Sequence, residues 1–175
     1  MISKKEIHPA QRVGIFIDVQ NLYHSAKNLY QGRVNYNILI DHLLQGRVLI
    51  RSVAYVVKSE TAAGEASFFD ALEKAGLQLR VKDLQVYAGG FKKGDWDVGM
   101  AVDAIRMAGF LDTVILVTGD GDFLPLVDYL KWGVGRFVEV AAFKRTASAK
   151  LQEAADNFID IEKIPKVIIR KKEIK

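Results

Sequence analysis

The chain contains no cysteine. That absence excludes disulfide bonds, thiolate metal sites and cysteine nucleophiles. Its three histidines, His8, His24 and His42, are too scattered to suggest a zinc site, so any bound metal must be held by oxygen. No apolar run approaches the roughly 20 residues needed to cross a bilayer. Residues 1–6, which include Lys4, Lys5 and Glu6, lack the apolar segment of a secretory signal. A cytoplasmic protein with no membrane partner is the expectation. Internal repeats and low-complexity linkers are also missing, and the first apolar strand is not followed by the Gly-x-Gly-x-x-Gly turn with which dinucleotide enzymes approach pyrophosphate.

What is present is a chain of 175 residues, 50% of them hydrophobic. That proportion suits one compact domain with a substantial core. The formal charge is +4 and the isoelectric point is near 9.2. Because the acidic residues include a concentrated motif described below, the basic ones must lie elsewhere on the surface. Such a division fits a polyanionic partner, and ordinary solubilising charge accounts for it equally well.

Hydrophobic periodicity predicts alternating strands and helices. Residues 13–17 read as a buried strand, and 21–30 as a helix with Leu22, Ala26 and Leu29 on one face. A short helix over 36–44, a β-rich run over 48–57 and a helix over 62–74 ending at Gly76 follow. Next come a half-exposed strand over 77–86, a helix over 97–108 and an apolar strand over 113–117. A helix over 122–131, a strand over 136–140 and a helix over 146–155 complete the order. Strands separated by helices imply an α/β fold with a mainly parallel sheet covered on both faces. After Pro165 the composition turns basic, and the segment reads as either a short edge strand or a frayed end.

The most informative motif is Thr118-Gly119-Asp120-Gly121-Asp122-Phe123, which delivers two carboxylates just beyond an apolar strand. In open α/β sheets the ligand site lies beyond the carboxyl ends of the strands. Glycines at 119 and 121 are expected to allow backbone conformations closed to other residues, turning both acids toward one point. Asp18 follows the first strand in the same way, so the acids converge if the two strands are neighbours. Asn21, one helical turn further on, either steadies a carboxylate, meets a ligand or caps the helix. A third motif, Lys92-Lys93-Gly94-Asp95-Trp96-Asp97, leads into a helix. Asp103 lies about 240° around that helix from Asp97, so the two cannot both point squarely into one small site. Asp103 is left between a second ion, a supporting contact and packing.

Carboxylates within about 4 Å of one another repel by roughly 1 to 4 kcal/mol per pair, depending on the local dielectric. A cation relieves that repulsion. Oxygen-only ligands with an incomplete protein shell suit Mg²⁺ or Mn²⁺, which keep several waters and accept phosphate oxygens. The outline is that of a phosphodiester-cleaving site.

These motifs, with Phe16-Ile17-Asp18-Val19-Gln20-Asn21, resemble the NYN domain, the LabA-like branch of the PIN-like nuclease superfamily. The resemblance runs from about residue 12 to residue 161. It implies an N-terminal extension over 1–11, a domain over 12–162 and a basic C-terminal tail over 163–175. It also implies a three-layer α/β/α sandwich, PIN-like and Rossmann-like, and metal-dependent ribonuclease chemistry in RNA processing or decay. Catalytic and metal-binding roles fall by resemblance on Asp18, Asp97, Asp120 and Asp122, with support from Asn21. In one respect the chain departs from the family pattern. The family commonly has one residue between Lys-Gly and the helix-starting Asp, and here Asp95 and Trp96 both intervene. Either Asp95 or Asp97 is then the ligand, and the apolar spacing of Val98, Ala101, Val102 and Ile105 favours Asp97.

An RNA substrate requires a basic track and flat stacking surfaces. Lys92 and Lys93 beside the acidic motif, and Lys144 and Arg145 beyond the last clear strand, are the phosphate-binding candidates. Ser148 either caps a helix or donates to phosphate. Trp96 is either a base-stacking platform or a loop anchor. The leading reading is a metal-dependent ribonuclease with RNA as partner. The alternative is an inactive RNA-binding or protein-interaction module of the same fold. A phosphatase with Asp18 as nucleophile is weaker, because the acid expected two residues later is Gln20. Oligomeric state, a homodimer included, is left open by the sequence.

Overall fold

The computed structural model describes residues 7–58, 64–90 and 92–170, with backbone alone at Val86, Lys92 and Lys93. In chain order the elements are β1 (Arg12–Asp18), α1 (Val19–Tyr30), β2 (Gly32–Val34), α2 (Tyr36–Leu44), β3 (Val48–Lys58) and α3 (Glu65–Lys74). There follow β4 (Gln78–Asp83), the two-residue strands β5 (Gln85–Val86) and β6 (Lys92–Lys93), α4 (Asp97–Ala108) and β7 (Thr113–Val117). After a 3₁₀ turn at Gly121–Phe123 come α5 (Leu124–Asp128), a π-helical turn (Tyr129–Gly133), β8 (Phe137–Ala142), α6 (Ala149–Ala154), β9 (Asn157–Asp160) and β10 (Ile168–Arg170).

Six strands form one sheet in the order β4-β3-β1-β7-β8-β9, and every neighbouring pair is parallel. The period-2 alternation of strand side chains divides the core between the two faces. Val13, Ile15 and Ile17 of β1, with Ile115 and Val117 of β7, pack on the face that carries α1, α2 and α3. Phe16, Val114 and Leu116 point the other way, against Met100 and Ala104 of α4, Leu126 and Val127 of α5 and Leu151 of α6. All of these are between 0% and 6% exposed. Continuous Val/Ile/Leu runs in β1 and β7 are what a sheet covered on both faces requires. The observed architecture is a three-layer α/β/α sandwich.

The chain winds outward from β1 to β3 and β4, then returns and winds the other way from β7 to β8 and β9. The carboxyl ends of β1 and β7 therefore flank the point where the winding reverses, and the connections diverge there to leave a crevice. Ile17 pairs with Val117, so Asp18 and Thr118 emerge side by side.

Toward the amino ends of the strands lies a buried ion pair. Arg47 donates to Glu139 at 2.7 Å with both side chains fully enclosed, and also to the Leu43 and Leu44 carbonyls. Asn157 donates to the other Glu139 oxygen at 3.0 Å. The pair ties the end of α2 to β8 and β9.

Several elements depart from the periodicity. β2 and β9 escape it because they are three and four residues long. The expected helix over 122–131 is a 3₁₀ turn, a five-residue α-helix with Pro125 in its first turn, and a π turn. The helix expected over 146–155 is trimmed to Ala149–Ala154. The run over 77–86 divides into β4 and β5, and the latter pairs antiparallel with β6. The helix expected from 62 begins at Glu65 in the structure, and residues 62 and 63 lie outside the described set. Beyond Pro165, Ile168–Arg170 pairs antiparallel with β2, while residues 171–175 lie outside the described set. Among the described residues, no helix is long and apolar enough to cross a membrane.

Candidate metal centre

Asp18 ends β1 and caps α1: its Oδ1 accepts a 3.0 Å hydrogen bond from the Asn21 backbone N–H. Its Oδ2 accepts from the Thr118 hydroxyl at 3.2 Å. Burial raises its pKa above the ordinary value, the Asn21 and Thr118 hydrogen bonds oppose that rise, and the nearby Asp120 charge adds to it. The Asn21 side chain accepts from the Gly119 N–H at 2.9 Å. Asn21 thus holds the turn after β7 against the start of α1.

Thr118 was not legible as a site residue. It is fully buried, it donates to Asp18, and it accepts from the Asp120 N–H at 3.2 Å. One hydroxyl thereby links the two acids that terminate β1 and β7. The only sequence signal for it is a hydroxyl residue between an apolar strand and a Gly-Asp turn.

Asp120 caps the 3₁₀ turn, with its Oδ1 accepting from the Asp122 N–H at 3.0 Å. The capping role therefore falls to Asp120, and Asp122 stands in the first turn with an exposed side chain. Gly119 and Gly121 correct the expectation placed on them. Neither has a positive φ. Close approach explains them instead: a Cβ at Gly119 would lie 3.0 Å from the Ala147 Cα, and one at Gly121 would lie 2.9 Å from the Ser148 Oγ. The segment after β8 packs directly on this turn, and the Ser148 N–H donates to the Gly119 carbonyl at 2.9 Å.

From across the crevice α4 contributes Asp97 at its first position. One carboxylate oxygen from each of Asp97, Asp120 and Asp122 lies within 4.8 Å of the other two. Burial pushes the Asp97 pKa up to about 6, helped by the charges of Asp95, Asp120, Asp18 and Asp122. Of the two aspartates preceding α4, Asp97 joins this group and Asp95 acts on it as a neighbouring charge. Asp18 stands beside the group, near enough for its charge to act on Asp97, with both oxygens engaged by Asn21 and Thr118. Asp103 is not with them. It is buried on α4 and accepts from the Tyr55 hydroxyl at 2.9 Å.

The sequence matches the NYN domain family over residues 12–162. The chain belongs to the NYN domain family. A Synechococcus elongatus protein described as low amplitude and bright protein LabA is similar to this NYN domain, with 22% identity over 162 residues, 87% of this chain and 85% of that protein. The crystal structure of a protein of unknown function from Vibrio parahaemolyticus is 31% identical, with a TM-score of 0.84 over 94% of this chain and 99% of that one. The acidic cluster of this NYN domain thus sits in a fold shared along nearly the whole of both chains.

Around the cluster, the remaining candidates of the NYN domain take up varied places. Trp96 is half-buried: its indole N–H donates to the Val56 carbonyl at 2.9 Å, and Lys82 stands over its ring at 4.8 Å. Arg145 is engaged by Glu162 at 2.7 Å and by the Tyr30 hydroxyl at 3.1 Å. Lys144 is exposed, Ser148 caps α6, and the Lys92 and Lys93 side chains lie outside the described set. Lys58, an exposed cation at the carboxyl end of β3, is a further candidate that sequence spacing did not single out.

Proposed function

We propose that this NYN domain is a divalent-metal-dependent ribonuclease whose metal is held by Asp97, Asp120 and Asp122. The observation that carries the reading is the convergence of those three carboxylates within 4.8 Å at the reversal point of the sheet. The donor set fits Mg²⁺ or Mn²⁺: it is all oxygen, it is incomplete, and it is too crowded for every acid to ionise at its ordinary pKa. A divalent cation there would supply charge neutralisation for a phosphodiester and lower the pKa of a water beside it.

The chain's own residues do the rest. Thr118 and Asn21 fix Asp18 and the turn after β7, so that the acids meet substrate already oriented. Asp18 keeps the rim of the site negative, which favours capture of the cation. Lys58, Lys92, Lys93 and Lys144 supply phosphate contacts that position RNA without reading its sequence. Arg145, already paired with Glu162, serves that role only by exchanging partners. Trp96 keeps its anchoring contact and offers at most its exposed edge to a base. Cytoplasmic RNA is the substrate pool this reading implies.

The test is cleavage of end-labelled single-stranded, hairpin and duplex RNA by the purified chain. Cleavage is expected with Mg²⁺ or Mn²⁺, with loss in chelator and in Asp18→Asn and Asp120→Asn. Activity surviving both substitutions would assign the cleavage to a contaminant. RNA retention without turnover in the wild type would favour a binding module instead.

A further inference from the structure

Asp103 is a buried acid that the metal centre does not use, and its partner identifies what it does. Tyr55, on β3, is 1% exposed and gives its hydroxyl hydrogen to Asp103 Oδ2 at 2.9 Å. Arg80 Nε stands 3.5 Å from the same oxygen. The Tyr55 ring also meets Trp96, with centroids 5.5 Å apart and planes at 58°. The next residue of β3, Val56, accepts from the Trp96 indole. Gly99 leaves the space Trp96 needs, because a Cβ there would lie 2.6 Å from the indole ring.

Two successive residues of β3 therefore grip α4 at two levels. Trp96 is the lower anchor and Asp103 the upper, about 10 Å apart along the helix axis. Asp97 lies between them. Trp96 stands at the N-cap, just outside the first turn, and alone leaves the body of the helix free to roll, whereas the Asp103 contact lies off the helix axis seven residues on and resists that roll. At a radius of about 5 Å, a roll of 10° would displace a carboxylate by about 0.9 Å. Productive placement of such a group tolerates about 0.5 Å.

We propose that Tyr55 and Asp103 are positioning residues: their hydrogen bond fixes the roll of α4 and so places Asp97 against Asp120 and Asp122. The role rests on the metal-site reading above. It explains why a directional polar pair is kept in an otherwise apolar layer, where a hydrophobic pair would pack without specifying rotation.

Mn²⁺ titration of the full chain reads the metal affinity. Trp96 fluorescence in a Trp132→Phe background reads the anchor without metal. Tyr55→Phe is expected to weaken Mn²⁺ binding about 10-fold and to expose Trp96 to acrylamide quenching. Asp103→Asn keeps an acceptor for the hydroxyl and should stay within about twofold of wild type. Glu139→Gln, which loosens the fold at the other end of the sheet, should leave Mn²⁺ affinity unchanged. Wild-type affinity in Tyr55→Phe overturns the positioning role, and so does equal weakening in Glu139→Gln, which would mark a general loss of stability. A wild-type chain that takes up no Mn²⁺ overturns the metal reading and, with it, this role toward Asp97. The quenching measurement then shows separately whether Tyr55 anchors Trp96.

Discussion

Removing a carboxylate from the cluster should make the metal-free protein more stable. Asp97→Asn is the sharpest case. The folded protein holds the Asp97 pKa near 6, against an ordinary 3.8, through burial and through the charges of four neighbouring aspartates. Because the folded value is the higher one, folding stability falls as pH rises from about 4 to about 6, and the whole cost is present above pH 7. At about 1.4 kcal/mol per pKa unit the ceiling is roughly 3 kcal/mol. Partial exposure and screening by salt reduce the expected effect to about 1 kcal/mol. For a chain of this size that corresponds to a rise of about 2–4 °C in Tm. Urea melts in chelator at a series of pH values are the assay. The variant should exceed the wild type at pH 7.5 and converge with it by pH 4. With Mn²⁺ added the order should reverse, since a ligand that binds only the folded state stabilises it by mass action and the variant has lost a ligand. A variant no more stable than wild type at pH 7.5, or a gain that persists unchanged at pH 4, would refute the electrostatic reasoning.

Glu139→Gln should cost about 3 kcal/mol in urea melts, because it leaves Arg47 charged and enclosed without its counter-ion. Gly119→Ala should destabilise by about 1–3 kcal/mol, since the Ala147 backbone cannot retreat, whereas Gly121→Ala meets the Ser148 side chain, whose hydroxyl can swing aside at the expense of its cap on α6, and should cost less. Thr118→Val keeps the shape but removes the acceptor of the Asp120 N–H and one of the donors to Asp18. Thermal melts should register about 1–3 kcal/mol, and a parallel metal titration should show weakened Mn²⁺ binding.

The features legible in the sequence were those with long or repeated signals. The apolar runs of β1 and β7 announced buried parallel strands, and the acids after them could be assigned to one end of the sheet because strand polarity is shared. The helical spacing of its successors points to Asp97 over Asp95, and Asp97 lies with Asp120 and Asp122. The angle between Asp97 and Asp103 on one helix separates them, yet it does not name Tyr55, which is 48 residues away in the chain. Short edge strands such as β9 carry too few residues for a period to register. Gly119 and Gly121 stand in the sequence as residues that free a turn, whereas the structure needs them for close approach. A requirement for close approach by a distant segment leaves no local trace, so conformational freedom was the only explanation a sequence could offer.

The central claim is that Asp97, Asp120 and Asp122 hold one divalent cation. Anomalous diffraction from crystals grown with Mn²⁺ tests it directly. The account predicts a peak between those three carboxylates that disappears in Asp120→Asn. A peak elsewhere on the molecule, or none at Mn²⁺ concentrations that support RNA cleavage, would contradict it.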